Sequence, residues 1–104
     1  MVQEAEGMNK ASARSQPYYT LKEKLRQLYN LYPISEDNYS MLFKHVRVSY
    51  SLNHRTFSIK QGKVGLAYFD IYELAQFDEN YETLCSMIAG LVYANELKNW
   101  SQLK

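Results

Sequence analysis

The chain has 104 residues, 46% of them hydrophobic and 22% charged, with a formal net charge of +1. That is the size and balance of one globular domain, too short for two cores and not basic enough overall for a general nucleic-acid coat. Its single cysteine, Cys85, excludes an intramolecular disulfide, and no apolar run reaches the ~18 residues that a membrane-spanning helix needs.

Residues 1–17 are polar, poor in aromatics and without periodicity, which predicts a disordered N-terminal tail ahead of a single domain over 18–104. They lack the basic start and apolar core of a secretory signal. With the lone cysteine this points to a reducing, cytoplasmic setting. Thr20 and Glu23 have the spacing of a capping box, and Leu21, Leu25, Leu28, Tyr29 and Tyr32 follow at helical spacing up to Pro33. Ser35 then reads as the N-cap of a second helix carrying Tyr39, Leu42, Phe43 and Val46.

Around Val46 the period changes from helical to alternating. Val46 to Leu52, Thr56 to Lys60 and Lys63 to Phe69 read as three antiparallel strands, with turns at Asn53–Arg55 and at Gln61–Gly62. The alternation expects Val48, Tyr50, Phe57, Ile59, Val64, Leu66 and Tyr68 to face inward. It sends Arg47, Ser49, Ser51, Thr56, Ser58, Lys60 and Lys63 outward. Asp70 and Glu73 open a short helix running to about Phe77. Asp78 caps a last helix whose stretch from Thr83 to Asn95 carries no charge in 13 residues. The expected class is α+β: two N-terminal helices, a three-stranded meander, and two C-terminal helices, the last central or at a dimer interface.

The charges segregate along this order. Asn38 to Phe69 holds no acid, and Asp70 to Leu97 holds no Lys or Arg. Lys44, Arg47, Arg55, Lys60 and Lys63 are therefore candidate contacts for nucleic acid or another anion. Ser86, Gly90 and Ala94 recur at four-residue spacing on the last helix, away from its main apolar stripe, and are candidates for a homodimer contact. Ten tyrosines against one tryptophan supply side chains suited to half-buried positions and to interfaces.

No motif converges on catalysis. Cys85 sits beside an apolar stripe, His45 and His54 have no carboxylate in their segment to orient them, and there is no phosphate loop or metal-ligand spacing. No cofactor, metal or catalytic residue is expected. The reading is a small non-enzymatic protein-interaction module (regulator, inhibitor or adaptor) that forms a homodimer. The alternative is a nucleic-acid-binding regulator using the basic meander.

Overall fold

The computed structural model describes residues 2–102, with side chains described for residues 13–94. Its elements in chain order are α1 (Val2–Tyr29), β1 (Ser35–Asp37), β2 (Ser40–Phe43), β3 (Val46–Ser51), β4 (Thr56–Gln61), β5 (Val64–Asp70), α2 (Ile71–Phe77) and α3 (Glu82–Gln102). The five strands form one sheet in the order β1-β2-β3-β4-β5, each antiparallel to the next.

The class is α+β, but the expected arrangement is corrected. One helix precedes the sheet, not two, and the sheet has five strands, not three. The segment expected as a second helix is a pair of short strands. Tyr39, Leu42, Phe43 and Val46 do recur at helical spacing, but Met41 and Phe43 also alternate. As strand residues they lie opposite Val48 and Val46, and all four are buried. Two tight turns make this possible, one at Asn38–Tyr39 and one at Lys44–His45, where Lys44 takes φ 58°. Ser35 accordingly caps nothing; it pairs with Leu42 at the sheet's first strand.

α1 passes through the expected capping box without starting there. Gln16 Nε2 donates to the Thr20 hydroxyl at 3.2 Å, and Glu23 accepts from Gln27 at 2.9 Å and pairs with Arg26. The helix stops at Asn30, which takes φ 55°, and the Leu31 amide donates back to the Leu25 carbonyl at 3.1 Å. Pro33 lies beyond this stop. Most of the expected tail, residues 1–17, lies outside the residues with described side chains. Within 13–17, Ser15 is buried, and the Tyr50 hydroxyl donates to the Arg14 carbonyl at 2.7 Å.

One core lies between the helices and the inner face of the sheet. α1 contributes Tyr18, Leu21 and Leu25, and α3 contributes Leu84, Cys85, Ile88, Ala89 and Val92. The strands contribute Met41, Phe43, Val46, Val48, Tyr50, Phe57 and Ile59. A line of rings crosses it: Tyr18–Tyr39 at 5.6 Å, Tyr39–Tyr50 at 6.5 Å, Tyr50–Phe57 at 4.9 Å and Phe57–Tyr81 at 6.1 Å between centroids. These edge-on and tilted contacts add to area burial, and they explain the use of tyrosine in so small a core.

The two C-terminal helices are fixed by aspartates. Asp70 accepts from the Tyr72 amide at 2.8 Å and starts α2. Asp78 is buried; its amide donates to the Leu74 carbonyl at 2.7 Å, closing α2. Its carboxylate accepts from the Thr83 and Leu84 amides at 3.0 and 2.7 Å, opening α3. Tyr81 takes φ 60° in the connection between them.

Candidate functional site

β5 forms one lateral edge of the sheet, because the chain leaves it directly for α2 and no later strand among the described residues returns. Its register against β4 slips at Ile59/Lys60: Ala67 lies opposite Ile59, Gly65 lies opposite Lys60, and Leu66 is the extra residue. The slip separates side chains that simple alternation would place together. Phe69, Ala67 and Val64 lie opposite Phe57, Ile59 and Gln61 on the inner face, while Tyr68 and Gly65 lie opposite Ser58 and Lys60 on the outer face. The expected inward row of Val64, Leu66 and Tyr68 is therefore broken. Val64 keeps the inner side but is 61% exposed, Leu66 is 40% exposed and Tyr68 is 68% exposed. Between Lys63 and Asp70 this edge carries no charge at all.

Natural sheets protect long edges with charge, proline or a bulge, or with a covering element. From Val64 to Phe69 the slip is the only one of these devices within the strand, the charge of Asp70 coming at its last residue. Over Gly65 lies an open hollow of about 390 Å³ bordered by Ser58, Lys60, Leu66 and Tyr68. A Cβ added at Gly65 would meet nothing within 4 Å, so no close contact among the described residues requires glycine there. Strand alternation alone reads this strand as interior. The signal that could have revealed an edge is the uncharged run from Val64 to Phe69, placed last in the meander with nothing after it to pair.

The basic candidates divide between the two ends of the sheet. Arg47 and Lys60 are direct cross-strand neighbours on the outer face. Lys44 and Lys63 lie in the turns at the same end, where the Gly62 amide donates to the His45 carbonyl at 3.2 Å. Arg55 lies in the turn at the far end and donates to the Tyr72 hydroxyl at 2.7 Å. The outer face is not wholly free of acid. Arg47 donates to the Ser40 hydroxyl at 2.8 Å, and Asp37, on the first strand, stands 4.0 Å from its guanidinium. His45 and His54 are exposed at opposite ends of the sheet and do not meet. Among the described residues no group of three or more His, Cys, Asp or Glu side chains could share a metal ion.

Ser86, Gly90 and Ala94 share the exposed side of α3, and a Cβ at Gly90 would meet nothing within 4 Å. Cys85 is buried on the opposite side, and burial pushes its thiol up to about 12, out of reach of thiolate chemistry at neutral pH. A polar cluster joins α1 to β1: Lys22 donates to Glu36, and the Tyr18 hydroxyl donates to the same carboxylate oxygen at 3.0 Å. The Lys22 ammonium, helped by that hydroxyl, holds Glu36 below the ordinary carboxylate range. Burial, with the carboxylate alongside, raises the Tyr18 hydroxyl far above its own. Both contacts join α1 to β1, and Lys22 and Glu36 border an open hollow with Tyr19, Asp37 and Asn38.

Five of the ten tyrosines serve the core or its margin, and five are exposed: Tyr19, Tyr32, Tyr68, Tyr72 and Tyr93. No helix among the described residues is long and apolar enough to cross a membrane. No family model matches the chain, and neither a curated protein nor a solved structure matches it.

Proposed function

We propose that the protein is a non-enzymatic interaction module that receives an extended polypeptide segment along β5. The observation that carries this reading is the seven-residue edge strand whose side chains Val64, Leu66 and Tyr68 stand exposed, with no charge between Lys63 and Asp70. A strand added there gains main-chain hydrogen bonds for affinity, while the hollow over Gly65 offers a place for one of its side chains. The exposed tyrosines agree with it, since tyrosine is enriched where proteins meet.

The test is affinity capture from cells that express the protein, comparing the natural chain with a Leu66→Lys, Tyr68→Lys variant. Both positions are exposed, so the variant should fold, and charge on an edge discourages pairing. The expected result is a polypeptide retained by the natural chain and lost from the variant. Identical retention by both would remove β5 from consideration.

A second reading is nucleic-acid binding. It is supported by Arg47 and Lys60 facing each other across β3 and β4, where like charges invite an anion. Its support is thinner, because Ser40 and Asp37 already engage Arg47. It expects duplex or single-stranded nucleic acid to be shifted below ~100 mM salt and released as salt rises. Arg47→Glu with Lys60→Glu should abolish the shift. No shift at low salt for the natural chain would end this reading.

A further inference from the structure

Resting on the reading of β5 as a docking edge, we infer that its occupant is the β5 strand of a second copy, in antiparallel two-fold pairing. The slip at Leu66 carries the argument. A regular strand laid along β5 that matched the alternation of Ala67, Tyr68 and Phe69 would be out of phase with Val64 and Gly65. A second β5 has the same slip at the same residue. When the two strands run antiparallel about an axis between Leu66 and Ala67, the two irregularities coincide and both halves stay in phase.

That single register also matches the side chains. Val64 falls opposite the partner strand's Phe69, both on the inner face, and Gly65 falls opposite Tyr68, both on the outer face. A tyrosine ring laid over a cross-strand glycine covers the exposed backbone and fills the hollow beside Lys60. Tyr68, 68% exposed in the single chain, thereby gains a cover, and Gly65, open to 4 Å around an added Cβ, gains a neighbour. The ends complement each other: Lys63 of each strand falls opposite Asp70 of the other, and the symmetry makes this contact twice. Such a pairing joins two five-stranded sheets into one of ten strands. It buries less than the ~1,600 Å² of a standard stable interface, so the association is weak and concentration-dependent.

The experiment is sedimentation of the purified natural chain across a concentration series, alongside Lys63→Glu and Asp70→Lys variants, each alone and as an equimolar mixture. The expected result is a natural chain that moves from one-chain to two-chain mass. Each variant alone, with like charges opposed twice, should associate at least about tenfold more weakly. The mixture should recover two-chain mass, because both contacts between position 63 of one chain and position 70 of the other then join opposite charges again. Amide exchange of the natural chain supplies a readout that needs no variant: β5 amides alone should gain protection as concentration rises. A natural chain of one-chain mass throughout overturns the self-pairing, and if capture by β5 still succeeds, the broader reading survives it. A two-chain mass unaffected by either charge reversal, or protection appearing on α3 rather than β5, also overturns it.

Discussion

Asp78 shows how much one side chain can decide. Its amide closes α2 and its carboxylate takes two amides at the start of α3, all in a buried position. Replacing it by alanine leaves the Thr83 and Leu84 amides without their acceptor. Asp78→Ala should therefore cost about 1–3 kcal/mol, the range for losing a cap of which one donor, the Leu84 amide, stays buried, read as a lowered urea midpoint with an unchanged slope. Asp78→Asn keeps one acceptor oxygen and should cost less. This residue was legible in the sequence, because an acid ahead of a long apolar stretch has few other uses. Its distance from the helix was not: α3 begins at Glu82, and the left-handed turn at Tyr81 supplies the connection. Gly65 was not legible as part of a site either. A glycine in a strand reads as a weak point, and only the register against Lys60 shows that it leaves an open hollow.

At the scale of elements, α3 tests where the helix is covered. Leu84, Cys85, Ile88, Ala89 and Val92 face the core, and Ser86, Gly90 and Ala94 face away from it. Among the described residues nothing comes within 4 Å of a Cβ added at Gly90, so its glycine brings the backbone freedom that weakens a helix and no close contact in return. Gly90→Ala should then stabilise the chain by about 0.5–1 kcal/mol, seen as a higher thermal midpoint. A lower midpoint would mean that something does approach this side closely. The strands were only partly readable. β3, β4 and β5 stood out because their apolar residues alternate over six or seven positions. β1 and β2 are three and four residues long, too short for alternation to outweigh an accidental helical spacing. Their identity rests on pairing with β3, a tertiary fact that no local pattern contains.

For the whole molecule, the segregation of charge along the chain follows from the order of its parts. The acid-free segment is nearly the sheet, and much of the acidic segment marks helix starts, with Asp70 and Asp78 bonded to amides there. The fold class was legible because the period of the apolar residues changes twice. The edge was legible only as the last strand of the expected meander; the slip that breaks its inward row was not, because it is set by pairing with β4. The strand order has one more consequence, for the sequence of assembly. Every sheet pairing joins neighbours in the chain through turns of two to four residues, so the meander closes only small loops and can form early. Its inner face is completed from both sides by α1 and α3, which meet across the entire sheet-forming segment. Until Leu84 to Val92 have been synthesised, the inner face of the sheet lacks the α3 half of its cover, so those few residues near the end of the chain complete the only core the sheet has among the described residues.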